Sequence, residues 1–107
     1  MLKNKLHNFL GLAKKAGKLV AGTGAVENSI RQKTSRLVVM ACDVSENTKK
    51  RLTDKCNYYN IELITFGNKE SIGKAIGEEL AAAVSINDNN FASAINGIYN
   101  EFSGGEV

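Results

Sequence analysis

The fold of this 107-residue chain is organised around the segment Leu37-Val-Val-Met-Ala-Cys42, which is apolar at every position. Such a run, rich in β-branched residues, is typical of a strand covered on both faces, and we predict that it is the central strand of a sheet. Asp43 and Ser45 follow it as candidate N-caps of a helix that ends near residues 58–60. The segment therefore predicts a strand followed directly by a helix.

Helical and extended patterns alternate before and after this strand. The pattern predicts a helix over 2–16, an extended segment at 18–21 and a helix that starts at Gly22 or Thr23, then strands at 61–66 and 81–86, a short helix ending at Gly77 and a last helix capped by Asp88. This alternation with short connections predicts an α/β fold, a sandwich whose central sheet of about four strands carries helices on both faces.

Length and composition predict one globular domain over residues 1–103 with a flexible tail at 104–107. A composition of 43% hydrophobic and 23% charged residues is ordinary for a globular protein and excludes disorder for most of the chain. No apolar run reaches the roughly 18 residues of a membrane span. We expect a soluble, cytoplasmic monomer without a membrane or small-molecule partner.

The chain lacks the residue clusters that metal and catalytic sites need. Cys42 and Cys56 have no histidine nearby, so we expect no metal, no cofactor and two unpaired, buried thiols. No acidic residue lies close in the sequence to the single histidine, His7, and the adjacent Glu78 and Glu79 point in different directions. The sequence therefore predicts a protein that is not an enzyme.

Positive charge is concentrated in the first half of the chain. Residues 1–55 hold 12 Lys and Arg against four acids, a balance of +8, whereas residues 56–107 hold two against seven, a balance of −5. The candidate phosphate-binding cations flank the predicted start of the second helix: Lys14, Lys15, Lys18, Lys33 and Arg36. Either a nucleic-acid surface or an ordinary solvated face fits this asymmetry.

The start of the second helix is also a candidate anion site. Gly22, Gly24 and Glu27 occupy the positions of a G-x-G-x-x-G pattern whose third glycine is missing, which argues against a dinucleotide. Exposed N–H groups at a helix N-terminus still attract anions, although an ordinary capped turn gives the same pattern. Tyr58, Tyr59 and Phe66 are not interleaved with basic residues in the sequence, so structured RNA fits better than a stacked single strand.

Several blocks of the sequence together resemble one known family. They are Phe9-Leu-Gly-Leu-Ala-Lys-Lys-Ala-Gly-Lys-Leu-Val-Ala-Gly22, Leu37-Val-Val-Met-Ala-Cys-Asp-Val-Ser-Glu-Asn-Thr-Lys-Lys50, Thr53-Asp-Lys-Cys56, Ile72-Gly-Lys-Ala-Ile-Gly77 and Ala81-Ala-Ala-Val84. In this order they closely resemble the bacterial YlxQ-like branch of the ribosomal kink-turn-binding superfamily. The resemblance covers nearly the whole chain, and it implies a three-layer α/β/α sandwich and an RNA-binding role.

The resemblance also implies a site. Family members bind kinked RNA by setting the N-terminus of the second helix against tandem sheared G·A pairs, while a loop before the last strand meets a flipped-out base. Gly22 and Thr23 match the helix start, and the loop residues are Gly77, Glu78, Glu79 and Leu80. Where ribosomal members hold Asn, Glu and Lys, this chain has Gly24, Ala25 and Asn28. We therefore predict binding of a structured, kink-turn-like RNA, ribosomal or other; the alternative is a protein-interaction module on the same fold with RNA binding weakened or lost.

Overall fold

The computed structural model describes the backbone of residues 2–106 and the side chains of residues 4–101. Helices and strands alternate along the chain in the order α1 (Leu2–Lys15), β1 (Leu19–Ala21), α2 (Thr23–Arg31), β2 (Leu37–Met40), α3 (Glu46–Tyr59), β3 (Leu63–Thr65), α4 (Lys69–Ile76), β4 (Ala83–Ile86) and α5 (Asn89–Glu106). The predicted alternation is confirmed, and each strand is shorter than the segment predicted for it.

The four strands form one mixed sheet in the order β1-β4-β2-β3. Strand β4 runs antiparallel to both β1 and β2, while β2 and β3 are parallel. Strand β2 is an interior strand, and all four of its residues are buried. The prediction of a central strand at this position is therefore confirmed.

Helices cover both faces of the sheet. The side chains of β2 show this, because successive residues of a strand point to opposite faces. Val38 and Met40 pack with residues of α2 and α3 in one cluster. Leu37 and Val39 pack with residues of α1, α4 and α5 in the other. The architecture is thus the predicted three-layer α/β/α sandwich.

The helix caps agree with the sequence except at Asp43. The Ser45 hydroxyl accepts the Thr48 N–H at 3.1 Å and caps α3, and an Asp88 carboxylate oxygen accepts the Phe91 N–H at 2.9 Å and caps α5. Asp43, expected as a cap of α3, instead accepts the Lys69 N–H of α4 at 2.9 Å. That assignment was wrong because β2 and β3 are parallel neighbours, so the start of α4 comes within reach of the residue after β2.

Two further features differ from expectation or go beyond it. Cys42 is exposed, since the chain leaves the sheet before it, whereas Cys56 is buried as predicted; both thiols are unpaired. Helix α5 continues to Glu106, past the predicted end of the domain. Flexibility of residues 104–107 stays a prediction, and Val107 lies outside the described residues. Within the described part of the chain, no helix is long and apolar enough to cross a membrane.

Candidate nucleic-acid interface

Three chain segments meet at one edge of the sheet, which we call the helix-start edge: residues 22–25 at the start of α2, 41–43 after β2, and 77–82 before β4. The Gly22 N–H donates to the Ala83 carbonyl at 2.9 Å, and the Ala41 N–H donates to the Ala82 carbonyl at 2.8 Å. These contacts exist because β4 runs antiparallel to β1 and β2, so it begins where those strands end. The structure therefore brings together the two predicted parts of the site, the helix start and the loop.

The N-terminus of α2 presents its backbone without a side-chain cap. Gly22 is the N-cap residue, with φ 102° and ψ 145°, and among the described residues no side-chain hydrogen bond caps this helix start. The first turn holds no acidic residue, and Gly24 and Ala25 are exposed. Because the first N–H groups of a helix have no intrahelical partner and carry partial positive charge, this surface suits an anionic group.

The neighbouring helices α3 and α4 begin at the same side of the sheet but are closed by side chains. Ser45 caps α3, and the Asn68 side chain accepts the Ser71 N–H of α4 at 2.8 Å. Each also has an acid in its first turn, Glu46 in α3 and Glu70 in α4. These acids would repel a phosphate, so α2 offers the favourable terminus of the three.

Segment 77–82 is held in place along α4 while the side chains of residues 78–80 are exposed. The Glu78 N–H donates to the Gly73 carbonyl at 2.8 Å, and the Ala81 N–H donates to the Lys69 carbonyl at 2.9 Å. A Cβ at Gly73 would lie 2.8 Å from the Leu80 Cα, so glycine is needed for this close approach. Glu79 is exposed, and Leu80 is 58% exposed. The segment thus presents an apolar side chain from a fixed backbone.

The two lysines at the end of α1 lie near the start of this segment. Lys14 and Lys15 line a groove between α1 and α4 together with Gly77. The Lys14 ammonium lies 3.9 Å from the Glu78 carboxylate, and both side chains are roughly half exposed. An exposed pair of this kind contributes about 0 to 1 kcal/mol, so Lys14 can exchange Glu78 for another anion at little cost.

The other three predicted cations lie elsewhere, at what we call the opposite edge of the sheet. The Lys18 carbonyl, before β1, accepts the Asn87 N–H at 2.8 Å, and the Arg36 N–H, before β2, donates to the Ile86 carbonyl at 2.7 Å. The Arg36 guanidinium also donates to the carbonyl of Lys33 at 3.3 Å. Lys18 and Gly22 are four residue steps apart along an extended chain, or roughly 13 Å. The expectation that all five cations flank the helix start is therefore wrong for Lys18, Lys33 and Arg36.

Two residues in the second turn of α2 have different surroundings. Asn28 is exposed, and its side-chain oxygen accepts a hydrogen bond from the Arg31 guanidinium at 3.2 Å. Glu27, the third position of the glycine-rich pattern, is buried and pairs with Arg51 of α3 at 2.7 Å. Glu27 therefore ties α2 to α3 and takes no part in the helix-start edge.

One concentration of cations and aromatic rings was not predicted from the sequence. Between α2 and α3 lies an open cleft of about 710 Å³, the α2–α3 cleft, lined by Glu27, Arg31, Arg51, Asp54, Lys55, Tyr58 and Tyr59. Positions 51, 55 and 58 are spaced by four and three residues, so they share one face of α3. That spacing is the signal that identifies this face, although the part played by α2 depends on tertiary structure.

The two thiols have different surroundings. Cys42 is exposed at the helix-start edge, where its N–H donates to the Gly67 carbonyl at 2.9 Å. Cys56 is 1% exposed in the cluster beneath α2 and α3, and burial raises the pKa of its thiol to about 11. Among the described residues, no group of three or more His, Cys, Asp or Glu side chains is arranged to hold a metal ion.

Comparisons with known proteins agree with this architecture. Residues 4–96 match the model of the ribosomal protein L7Ae/L30e/S12e/Gadd45 family. The RNA-binding protein YlxQ of Bacillus subtilis strain 168 is 38% identical over 87 residues, which cover 81% of this chain and 87% of that protein. The RNA-binding protein YlxQ of Enterococcus faecium is 37% identical over 90 residues, 84% and 86% of the two chains.

One solved structure supports the fold independently of close sequence similarity. The 15.5kD RNA binding protein of Giardia lamblia superposes with a TM-score of 0.78 at 16% identity, covering 96% of this chain and 88% of that one. This similarity confirms the predicted fold. The family match and the two relatives confirm the predictions of the family and of a protein that is not an enzyme. This chain is a member of the ribosomal protein L7Ae/L30e/S12e/Gadd45 family.

Proposed function

We propose that this protein is a non-enzymatic RNA-binding protein that recognises a structured, kink-turn-like RNA, ribosomal or other, through the helix-start edge. The observation that carries the proposal is the uncapped N-terminus of α2 beside the exposed Leu80 of segment 77–82. The family match and the relatives named as RNA-binding proteins support it. We further propose that it works as a monomer in the cytoplasm, on ribosomal or ribosome-associated RNA, without a small-molecule substrate.

The two halves of this edge suit two features of a kinked RNA. The first-turn N–H groups of α2 can hold a phosphate or the edges of the bases packed against them. A Cβ at Gly24 would meet nothing within 4 Å, so a bulky RNA backbone can approach that position closely. Leu80 offers apolar contact to an unstacked base, the element by which proteins commonly recognise structured RNA.

Recognition of the helix start has to rely on the backbone more than on side chains. Gly24 and Ala25 have no polar side-chain atoms, and the Asn28 oxygen is engaged by Arg31. Backbone N–H contacts read shape and phosphate position but little base identity. We therefore propose that this protein selects the bent shape of its RNA, with shallow discrimination between sequences.

Crosslinking and footprinting against total cellular RNA tests the general proposal. Enrichment of one structured site supports it, and absence of any enriched site contradicts it. A titration with the recovered RNA then tests the helix-start edge through Ala25→Asp. This change places an acid in the first turn of α2, where it stabilises the helix but repels a phosphate.

The matched control for that titration is Ser93→Asp, which adds the same charge at an exposed position of α5 on the other side of the sheet. We expect Ala25→Asp to weaken binding about tenfold or more, since charges about 4 Å apart near a protein surface interact by a few kcal/mol. Ser93→Asp should change it no more than about twofold. Equal effects of the two variants on folded protein would exclude the helix-start edge as the binding surface.

A further inference from the structure

Helix α2 links the helix-start edge, at its N-terminus, to the α2–α3 cleft, at its C-terminal end. Arg31 ends α2, seven residues after Gly24, which corresponds to about 10 Å along the helix axis. The volume of the cleft, about 710 Å³, lies within the range of small-ligand sites. A strand of nucleic acid that leaves the helix-start edge along α2 would reach the cleft within about three nucleotides, given one phosphate per 3.4 Å of strand.

The acids that line the cleft are neutralised within the protein. Glu27 pairs with Arg51 at 2.7 Å, and Asp54 pairs with Lys50 at 3.1 Å. Arg31 donates to the amide oxygen of Asn28 rather than to a carboxylate. In the part of the chain that the structure describes, no ion pair engages Arg31 or Lys55. The cleft therefore presents a surplus of positive charge to an incoming anion.

An exposed aromatic ring stands beside these cations. Tyr58 is 80% exposed, although large apolar surfaces usually pack against the protein. Its ring centroid lies 5.0 Å from that of Tyr59 at an interplanar angle of 77°, and Tyr59 itself packs against the core. The edge-to-face contact supports Tyr58 from one side and leaves ring surface open for a flat partner. These tyrosines are far from Arg31 in the sequence, and the fold brings them together.

We propose that the α2–α3 cleft binds an unpaired segment of the RNA, with one base stacked on Tyr58 and adjacent phosphates held by Arg31 and Lys55. This inference rests on the proposed function and extends its binding surface. Proteins hold single strands with cations next to an exposed aromatic ring. Every base has a flat face that can stack on the ring, and every phosphodiester linkage carries a charge that the cations can bind. An acidic peptide would satisfy the cations but leave the ring of Tyr58 without a planar partner.

A short single strand tests the cleft without the structured part of the RNA. The probe is fluorescein-labelled hexaadenylate, titrated at one fixed salt against the full-length protein and two variants. Tyr58→Ala should weaken binding between about fivefold and a hundredfold, the range measured when a stacking residue is lost. Tyr58→Phe, which keeps the ring, should stay within about twofold. Thermal unfolding of each variant verifies the fold, which we expect to be intact because Tyr58 is exposed.

The cations are tested by the salt dependence of the same titration. Arg31→Ala and Lys55→Ala should each reduce the slope of log affinity against log salt by about 0.7, the value per phosphate contact on a single strand. Lys5→Ala, at an exposed position of α1 in the other layer, is the matched control and should leave the slope unchanged. If neither Arg31→Ala nor Lys55→Ala changes the slope, the role assigned to these two cations is overturned.

Three other outcomes would overturn the inference. They are a folded Tyr58→Ala variant that binds like the natural protein, no binding of hexaadenylate, and hexaglutamate binding in the cleft as tightly as hexaadenylate. The last would assign the cleft to an acidic protein segment. A Tyr58-dependent single-strand site in a protein that enriches no structured RNA would contradict the proposed function alone. Structured-RNA binding with no role for Tyr58 would contradict the cleft alone.

Discussion

The helix-start edge and the α2–α3 cleft lie at the two ends of one helix, yet they are built from different groups. At the helix-start edge the available groups are backbone N–H donors around Gly24 and the apolar Leu80. In the cleft they are long cations and an exposed tyrosine. A backbone site depends on the conformation of the chain, whereas a side-chain site depends on spacing along helices. The two regions should therefore respond to different substitutions.

The largest expected difference between the regions is in thiol reactivity. Cys42 is exposed at the helix-start edge, and Cys56 lies buried beneath the wall of the cleft. With its pKa raised to about 11, Cys56 is roughly one part in a thousand thiolate at pH 8, and burial slows access further. A thiol reagent should therefore modify Cys42 about a hundredfold faster or more, measured separately in Cys56→Ala and Cys42→Ala. Similar rates in the native state would contradict the buried position of Cys56.

The same buried thiol predicts a loss of stability at high pH. Burial raises the pKa of Cys56 from 9.0 to about 11, so the unfolded chain loses this proton first as pH rises. The stability that the protonated thiol contributes is fully present below about pH 9 and is lost as the pH rises through about 11. The loss lowers the free energy of unfolding by up to roughly 2 to 3 kcal/mol. Urea unfolding at pH 8 and 10.5 should show a smaller decrease in Cys56→Ala. In Cys42→Ala the decrease should equal that of the natural protein, and an equal decrease in all three would refute the assignment.

The next prediction concerns the conformation on which the helix-start edge depends. Gly22 has φ 102° and ψ 145°, a region that side chains rarely adopt, so Gly22→Ala should cost about 1 to 3 kcal/mol of stability. Gly24 is the matched control, since it lies in regular helix and a Cβ there meets nothing within 4 Å. Gly24→Ala should be neutral or stabilise the fold by up to about 1 kcal/mol. Chemical unfolding of both variants measures the contrast, and equal stabilities would show that a side chain at position 22 is not strained.

The predictable part of the fold follows from local patterns. The apolar run at 37–42 and the caps Ser45 and Asp88 act within a few residues, so the sequence suffices to place them. Asp43 and Cys42 were misjudged because their surroundings depend on which strand lies beside β2. Sequence spacing cannot specify that neighbour.

The candidate site shows the same division between local and tertiary information. Gly22 and Gly24 were identified from a local glycine pattern at a helix start, whereas residues 77–80 were identified only through resemblance to a family, which already contains tertiary information. Lys18 and Arg36 were misplaced because strand direction decides at which edge a flanking residue lies. The cleft was missed because Arg31 of α2 meets Tyr58 of α3 only once both helices pack on the sheet.

A substitution that adds side chains to the helix-start edge should make it more selective. Gly24→Asn, Ala25→Glu and Asn28→Lys together restore the polar residues of ribosomal members. A side chain that makes good base-edge hydrogen bonds contributes about 1 to 3 kcal/mol of discrimination. The triple variant should therefore increase the preference for a kink-turn over its G·A-disrupted mutant about tenfold or more, measured by titration at fixed salt. A natural protein that already discriminates a hundredfold, or a folded triple variant that gains nothing, would show that these positions do not limit selectivity.

The smallest expected effect separates the helix-start edge from the opposite edge. If about four cations meet phosphates, log affinity for a structured RNA should fall against log salt with a slope near −3 to −4, at roughly 0.7 to 0.9 per contact. Lys18 lies roughly 13 Å from Gly22, within reach of an RNA helix that passes along α2. Lys18→Ala should then reduce the magnitude of the slope by roughly 0.7 to 0.9, the value of one contact. It should weaken the binding of different structured RNAs about equally, because phosphate contacts carry no direct sequence information. Lys5→Ala, exposed on α1, should leave the slope unchanged. If Lys18→Ala behaves like Lys5→Ala, the RNA is confined to the helix-start edge and the α2–α3 cleft at the other end of α2, and the charge of Lys18 serves the solvated surface alone.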